Sequence, residues 1–520
     1  MALISSSWYT DLLTLTTGLL TILYFYLTST YDYWKKRKVP YDPPVLLFGN
    51  FYNAFTFKRN ISSYFYDLYR KTNEKYFGFY IYRRPYLLLR DPELIKHVLV
   101  KDFNNFVPRT NADTTNKEDV LGRDNIFTIK DPHNWRYLRA KFSPFFSTGK
   151  MRNMFTLLDG FGEDLNKYIK NHVNKTIEVK DACRKYTTDV IVSTAFGIQA
   201  NSFSDEEAEF SAISKKLFTF TLRRSVELIC FFFVPELVTL FNFKLFSSFG
   251  TAFLRNAVSQ AIEVREKNNI NRPDLIDALI KLKNTGTLED SPDLNDKQDH
   301  NKATIKFEGD ILAAQAAVFF TAGFETTSSA ISFTLYFLSY NPDIQIRLRK
   351  EIQTVIAENS GKFTYDSLAE MKYLDLCIKE TLRLYPSLGF LDREAMSTYT
   401  FPGTDLTIDK GTPVIISLTG LHRDPQYFEN PEVYDPERFN DENKSKFPPF
   451  AYIPFGEGPR NCVGARFGMV ATKVGLVHIL KDFEVVTFKT APTLEIDPRG
   501  FLTSPKHGIN LNFVKGTVYV

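Results

Sequence analysis

The chain has 520 residues, of which 44% are hydrophobic, 15% aromatic and 24% charged, an ordinary composition for a packed globular protein. A formal net charge of +4 argues neither for nor against nucleic acid, so any basic partner-binding surface would have to be local. The four cysteines (Cys183, Cys230, Cys377 and Cys462) form no CxxC pair, which disfavours a disulfide framework or a clustered zinc site and favours a reducing compartment.

The N-terminal segment has the length and flanks of a membrane anchor. Residues 12–31 carry no charge, and as a helix they would extend about 30 Å, the thickness of one bilayer core. The basic run at residues 35–38 follows directly, and the positive-inside rule then keeps the rest of the chain cytoplasmic. A cleaved signal peptide would need its charge before the apolar stretch, whereas a buried core helix remains an alternative. We expect an anchor over residues 1–34 and a single body over 35–520.

Helical patterns dominate this body. Residues 307–340 form a long apolar run that predicts a helix through the centre of the protein. Its carboxylates, Glu308, Asp310 and Glu325, disfavour a second membrane span because a charge inside the bilayer is costly. Strand-like runs are short and scattered, at residues 79–82 and 413–416. The predicted fold class is mostly α with small β-sheets.

The run FGEGPRNCVG around Cys462 is the strongest chemical signal. A thiolate ligand must be held rigidly and kept dry, and Gly456, Gly458 and Gly464 permit tight backbone approach and positive φ. Phe455 can pack beside such a site. Apolar periodicity resumes after Gly464, so Cys462 should precede a helix N-terminus, where the dipole and free amides favour a sulfur anion. For the other three cysteines we expect only apolar packing.

This run meets the pattern Phe-x-x-Gly-x-Arg-x-Cys-x-Gly at every fixed position, and the chain resembles the cytochrome P-450 superfamily over essentially its whole length. With its microsomal-type anchor and the run FFTAGFET, it is most similar to the insect detoxification branch. The resemblance implies the cytochrome P-450 fold, with a single catalytic haem domain after a transmembrane helix. It also implies haem b with Cys462 as the axial ligand of iron. One departure is Ala395, where that branch usually has cysteine.

The resemblance also assigns roles on the long helix. It makes Thr326 and Glu325 the catalytic pair, with Thr326 as a hydrogen-bond donor in oxygen activation and Glu325 as a proton relay. Ala322 would lie against the cofactor, and Gly323 would leave room beside the helix for dioxygen. The alternative for Thr326 is a hydroxyl that bonds back to its own helix.

Arginines are the implied partners of the haem propionates, because their planar fork suits a carboxylate. Trp135 and Arg139 stand one helical turn apart, and Arg393 and Arg460 match further propionate partners. The cofactor-binding residues implied are Cys462, Trp135, Arg139, Arg393, Arg460, Phe455, Gly456, Gly464 and Ala322.

A third motif, Glu380-Thr381-Leu382-Arg383, places two opposite charges at i, i+3. On a helix surface such a pair is worth little. The resemblance implies instead a buried structural network completed by Arg438.

We expect NADPH-dependent monooxygenation of lipophilic small molecules, in detoxification of xenobiotics such as plant toxins or insecticides. Oxidation of an endogenous hormone, steroid or fatty acid remains open; a non-catalytic haem-thiolate binding or sensor protein would need neither Glu325 nor Thr326. No nucleotide-binding pattern is present, so electrons should come from NADPH–cytochrome P-450 reductase, with cytochrome b5 as an optional second donor. No nucleic acid partner is expected. The location would be the endoplasmic reticulum membrane, with the catalytic domain on the cytoplasmic side.

Two sets of surface and pocket residues complete the expectations. Substrate contacts are expected in largely apolar segments, at residues 106–127, 218–223, 314–321, 388–391 and 502–503. Docking charges for the reductase are expected at Arg136, Lys141, Lys379, Arg466 and Lys473, although an ordinary solvated face is equally compatible. Residues 230–241 are too short to span a bilayer; they would either dip into the membrane or form a core helix.

Overall fold

A computed structural model describes residues 7–110, 118–204, 209–272, 274–285 and 304–519. Their α-helices are α1 (Trp8–Thr28), α2 (Tyr33–Lys36), α3 (Tyr52–Phe55), α4 (Ile61–Tyr69), α5 (Pro92–Lys96), α6 (Val120–Arg123), α7 (Pro132–Phe142), α8 (Thr148–Asn171), α9 (Val179–Ile191), α10 (Glu209–Leu217), α11 (Leu222–Phe233), α12 (Pro235–Phe241), α13 (Ser248–Asn268), α14 (Leu275–Thr285), α15 (Asp310–Tyr340), α16 (Pro342–Glu358), α17 (Ser367–Glu370), α18 (Lys372–Leu384), α19 (Leu418–Leu421) and α20 (Ala465–Leu480).

Short 3-10 turns occur at Phe103–Asn105, Ser143–Phe146 and Pro436–Phe439, and π-turns at His97–Lys101 and Val192–Phe196. The strands are β1 (Tyr76–Ile81), β2 (Arg84–Leu89), β3 (Thr176–Glu178), β4 (Phe390–Glu394), β5 (Tyr399–Thr400), β6 (Thr407–Ile408), β7 (Pro413–Ser417), β8 (Phe483–Thr487) and β9 (Asn510–Lys515). The predicted fold class, mostly α with small sheets, is therefore confirmed.

The four-stranded sheet has the order β1-β2-β7-β4. Strands β2 and β7 are parallel, with Leu88 opposite Ile415, whereas β4 is antiparallel to β7, with Arg393 opposite Val414. The other sheets are β3-β9-β8 and β5-β6. Arg393 therefore lies on β4, the edge strand of the four-stranded sheet.

Helix α15 is the centre of the helical part. It is 31 residues long, and most of its side chains are buried against α9, α13, α18 and α20. A helix that is apolar on nearly all sides requires neighbours on all sides. The expected central helix is thus confirmed, and it begins at Asp310 rather than 307 because Gly309 has a positive φ of 53°.

The N-terminal helix α1 is mostly exposed, and among the described residues it alone is long and apolar enough to cross a membrane. Its threonines hide their polar groups by donating to backbone carbonyls of the preceding turn, as Thr14 does to Thr10 and Thr21 to Thr17, each at 2.8 Å. This arrangement satisfies hydroxyls that would otherwise make the segment a poor membrane span.

The apolar segment 230–241 divides into two parts. Cys230 to Val234 are buried, and Phe232 stacks on Phe501 with ring centroids 4.3 Å apart. Leu240 and Phe241, at the end of α12, are 71% and 58% exposed. The first part is therefore core, and only the end of the segment is free to meet a membrane.

Glu380 on α18 forms the expected buried network. Its two carboxylate oxygens accept from Arg383 at 2.7 and 2.8 Å, and one also accepts from Arg438 Nε at 3.3 Å. Glu380 and Arg383 are both fully buried. Their interaction ties α18 to the turn at Pro436–Phe439, which leads into the Cys462 loop.

Replacing Arg383 with Met should lower the free energy of unfolding by about 3–5 kcal/mol, because the Glu380 charge would be left buried with an incomplete partner set. Denaturant unfolding of the detergent-solubilised protein, followed by circular dichroism, measures this. The control is Arg347→Ala, which breaks the exposed pair of Arg347 with Glu437 on the same turn and should change stability little. Equal effects of the two variants would contradict the structural role of the network.

Candidate functional site

Cys462 lies in a rigid loop immediately before α20. Its backbone N–H donates to the Phe455 carbonyl at 2.8 Å, so the loop closes on itself. Gly456 and Gly458 have φ of 72° and 74°, and a Cβ at Gly458 would lie 1.9 Å from the Leu99 carbonyl oxygen. These two glycines behave as expected. Gly464 does not, since its φ is −91°.

The sulfur of Cys462 is accessible although it lies deep in the fold. Burial raises the pKa of the thiol, while the Gly464 N–H and the charges of Arg139 and Arg109 act to lower it. The predicted position before a helix N-terminus is confirmed, because α20 begins at Ala465. The protein's own amides and cations therefore favour the sulfur anion, but burial outweighs them when the thiol is considered alone.

Three arginines from distant parts of the chain meet beside this loop. Arg109, Arg393 and Arg460 are 8%, 1% and 5% exposed, and Arg109 pairs with Asp392 at 2.8 Å. Burial and then the neighbouring Arg109 charge lower the pKa of Arg393 to about 9, which Asp392 only partly offsets. Like charges brought together without water repel strongly. We call Arg109, Asp392, Arg393 and Arg460 the arginine cluster.

Backbone carbonyls satisfy part of the arginine cluster. Arg460 donates to the carbonyls of Val107 and of Ile129, the latter at 3.0 Å, and Arg393 Nη1 donates to the Asp392 carbonyl at 2.7 Å. Within the described part of the chain, the buried Nε atoms of Arg109, Arg393 and Arg460 have no hydrogen-bond partner. Such buried donors are costly unless another group accepts from them.

Haem b fits these residues. The arginine cluster contains three guanidinium groups and one carboxylate, a net charge of +2, and haem b carries two propionates. Buried positive charge without a compensating anion would be strongly unfavourable. The accessible thiol of Cys462, in its glycine-rich loop, would suit the iron as a ligand. Sequence reasoning identified Arg393 and Arg460 but missed Arg109 and Asp392, since neither stands at a recognisable spacing.

Trp135 and Arg139 on α7 both face this region. Trp135 is buried, and the Arg460 guanidinium lies 5.0 Å from its ring centroid. Arg139 donates to the backbone oxygen and to the side-chain oxygen of Asn461, both at 2.6 Å. In this structure Arg139 thus holds the residue next to Cys462, and its assignment to a propionate stays a prediction.

On α15, Ala322 and Thr326 share an accessible face. The Thr326 hydroxyl donates to the Ala322 carbonyl at 2.6 Å, which is the alternative that the sequence left open. Its oxygen lone pairs remain available as acceptors. Gly323 does not leave room for dioxygen, because a Cβ there would lie 2.5 Å from Ile191 of α9. The glycine instead permits close packing of α9 against α15.

Glu325 is adjacent to Thr326 but points toward α9, and it is 1% exposed. Its oxygens contact Lys180 Nζ at 2.8 Å and Arg184 Nε at 3.0 Å, both from α9. Burial raises the pKa of Glu325, but these two cations more than offset it and hold the pKa below its ordinary value. Neither cation carried a sequence signal, since they lie more than 140 residues away in the chain.

Comparison with known proteins agrees with this geometry. The cytochrome P450 family model matches residues 39–513. Cytochrome P450 6k1 of Blattella germanica is 45% identical over 516 residues, which covers 98% of each chain. Probable cytochrome P450 6g2 of Drosophila melanogaster is 37% identical, covering 98% of this chain and 99% of the relative. These relatives confirm the similarity to the insect detoxification branch.

The Cys462 loop has an accessible thiol, and the buried arginine cluster has a net charge of +2 that suits two propionates. The family model matches residues 39–513. The chain therefore belongs to the cytochrome P450 family of haem-thiolate monooxygenases.

Proposed function

We propose that this protein is a monooxygenase of the endoplasmic reticulum membrane that oxidises lipophilic foreign compounds. The observation that carries the substrate class is the character of the five candidate contact segments. Each contains an apolar side chain that is half-buried and so still accessible, namely Phe127, Phe218, Val318, Leu388 and Leu502. An apolar lining with few polar groups selects ligands by hydrophobic burial rather than by hydrogen bonding.

The proposed cofactor contacts follow from the arginine cluster. When haem b is bound, Cys462 would be the thiolate ligand of iron, the Gly464 N–H would donate to the sulfur, and Arg109, Arg393 and Arg460 would bind the propionates. Trp135, Phe455, Gly456 and Ala322 would line the cofactor site. When bound, haem b supplies the redox-active iron for inserting one atom of dioxygen into the substrate and releasing the other as water.

Thr326 and Glu325 are the proposed catalytic residues. Thr326 presents its hydroxyl on the accessible face of α15, where it can hold a hydrogen-bonded proton or water close to the reacting atoms. Glu325 is ionised in its ion pair with Lys180 and Arg184, and the 23% exposed side chain of Arg184 connects this pair to solvent. We propose that protons enter along this route to Glu325 and then pass to the Thr326 side.

Electrons reach the protein from a partner reductase that oxidises NADPH, as for other members of the family. Arg466 is exposed beside the Cys462 loop and remains a proposed docking charge. The expectation for Lys141 is wrong, because its side chain is only 3% exposed. Lys379 and Lys473 both pair with Asp375, at 2.7 and 3.1 Å, which weakens their use in docking. Assistance by cytochrome b5 is proposed on the same face.

For the membrane we propose a span at α1, within an anchor over residues 1–34, with the haem domain of 35–520 on the cytoplasmic side. The hydroxyl of Tyr31, which follows α1, shares its proton between the carbonyls of Val45 and Tyr82, each at 3.2 Å. Burial, and then Tyr26 and Glu236, raise the pKa of Tyr82, so the start of α12 lies close by. The anchor therefore lies beside the exposed residues 45–47 and near the start of α12.

A binding screen that follows haem absorbance tests the substrate class. Insecticides and plant toxins should shift the spectrum at lower concentration than steroids or fatty acids of similar hydrophobicity. Tighter binding of a steroid or fatty acid series would overturn the detoxification role while leaving the monooxygenase assignment intact.

Replacing Cys462 with Ala should abolish the thiolate-type spectrum of the reduced carbon monoxide complex and all product formation. The other three cysteines are buried, and burial raises the pKa of each. The matched control is Cys183→Ala, which removes a buried thiol without touching the loop. A thiolate-type spectrum in Cys462→Ala would show that the ligand is another residue.

Thr326→Ala should keep haem and substrate binding but lower product formation on the order of 100-fold, the low end for loss of a positioned proton-transfer group. NADPH oxidation should continue and appear as hydrogen peroxide. Thr334→Ala is the control, because Thr334 makes the same backbone hydrogen bond on α15, to Ala330 at 2.7 Å. Unchanged coupling of NADPH to product in Thr326→Ala would remove this residue from the proposed pair.

A protein lacking residues 1–33 should still bind liposomes, and Leu240→Ser with Phe241→Ser should release it. The control is Val433→Ser, at an apolar residue that is 56% exposed beside the Glu380 network. Flotation of vesicles measures binding, and thermal unfolding checks that the variants are folded. Equal binding of the double variant and the control would exclude α12 as a membrane contact.

A further inference from the structure

A hairpin near the C-terminus connects the apolar residues around α11 to the Glu325 ion pair. Its two arms are joined by a bridge between Ile496 and Pro505, and the Asp497 N–H donates to the Ser504 carbonyl at 2.9 Å. The tip carries Phe501 and the candidate substrate contact Leu502. We call residues 496–505 the coupling hairpin.

The tip of the coupling hairpin packs against aromatic side chains of α11 and β4. Phe501 stacks on Phe232 of α11 at 4.3 Å and lies 5.9 Å from the Phe390 ring. The Ser225 hydroxyl donates to the Arg499 carbonyl at 2.9 Å and fastens the outer side of the tip to α11. A ligand that contacts Leu502 would therefore bear directly on this hairpin.

Two routes connect the base of the coupling hairpin to α15, and each passes through one intervening residue. Lys180 Nζ donates to Ser504 Oγ at 2.7 Å and contacts the Glu325 carboxylate at 2.8 Å. On the other route, the Thr503 N–H donates to the Ser387 carbonyl at 2.9 Å, and the Ser387 hydroxyl donates to the Thr326 carbonyl at 3.3 Å. Each of the two proposed catalytic residues is thus two polar contacts away from the hairpin.

Lys180 has an unusual position for an ammonium group, since its side chain is only 3% exposed. A buried ammonium must share its protons among the few acceptors it can reach. The charged groups around Glu325 on α9 are Lys180 and Arg184, with Glu178 and Asp181 as the carboxylates that in turn act on these two cations. Ser504 is a neutral acceptor that draws one Lys180 donor away from Glu325.

We propose that Ser504 and Lys180 are positioning residues that couple substrate contact at the hairpin to proton delivery by Glu325. This inference rests on the proposed role of Glu325. With Ser504 in place, Lys180 divides its donors and Glu325 can accept and release a proton. When Ser504 is lost or displaced, the freed donor turns to Glu325 and holds it as a fixed carboxylate. Substrates that seat the hairpin tip correctly should therefore be oxidised with little waste of NADPH.

The test compares four single variants of the full-length holoprotein, together with the Lys180→Met/Ser504→Ala double variant and Glu325→Gln. Ser504→Ala removes the acceptor, Ser504→Thr retains a hydroxyl, and Lys180→Met removes the ammonium group. Ser225→Ala is the matched control, because it loosens the same hairpin at its outer side without touching Lys180. The measurements are product formed per NADPH, the solvent deuterium isotope effect on kcat, the pH profile of kcat, haem content and substrate Kd.

Ser504→Ala should lower product per NADPH two- to tenfold, the range expected for one hydrogen bond, and should raise the solvent isotope effect. Its substrate Kd and haem content should match the wild type, Ser504→Thr should restore coupling, and Ser225→Ala should leave coupling unchanged. In the Lys180→Met background, Ser504→Ala should have no further effect.

Equal loss of coupling in Ser225→Ala and Ser504→Ala would overturn the inference, because it would show that hairpin looseness alone is responsible. Unchanged coupling in Ser504→Ala would overturn it as well. A Glu325→Gln variant tests the proposed proton relay separately from the link through Ser504. If Glu325→Gln lowers product per NADPH and Ser504→Ala does not, only the link through Ser504 fails. If Glu325→Gln is fully coupled, the proposed relay itself fails.

Discussion

Buried positive charge beside an accessible thiol is the constraint on which this protein depends. Arg109 lies between the 3-10 turn at Phe103–Asn105 and α6, Arg393 lies on β4, and Arg460 stands two residues before Cys462. Three separate regions must therefore converge for the arginine cluster to form. Asp392 neutralises only part of their charge. A dianion that binds this cluster favours the folded state over any state in which the regions separate. Folding and cofactor binding should therefore be linked.

Helix α15 organises the chemistry because adjacent residues of a helix point in different directions. Thr326 lies on the accessible face, whereas Glu325 turns toward α9 and its two cations. Gly323 allows this pairing, since any side chain there would push α9 away through Ile191. The result separates the accessible side of the helix from a charged side that reaches solvent through Arg184. The coupling hairpin reaches the two sides through Lys180 and Ser387.

Much of this arrangement could be predicted where the signal is local. The loop around Cys462, the central helix and the Glu380–Arg383 pair depend on short patterns or on spacing along one helix, and the structure confirms their placement. Arg109 and Asp392 could not be found this way, because they are 283 residues apart and pair only in the folded chain. Gly323 was misassigned because a glycine in a helix has the same sequence signature whether it faces a ligand or another helix.

The most direct test of the account is the affinity of the haem-free protein for haem b and for its propionate dimethyl ester, measured by absorbance titration. The ester keeps the iron and the porphyrin but lacks both negative charges. The ester should bind far more weakly than haem b and be lost faster to apomyoglobin, and Arg109→Met should reduce this discrimination. Equal affinity for the two haems would contradict the claim that the arginine cluster requires a dianion.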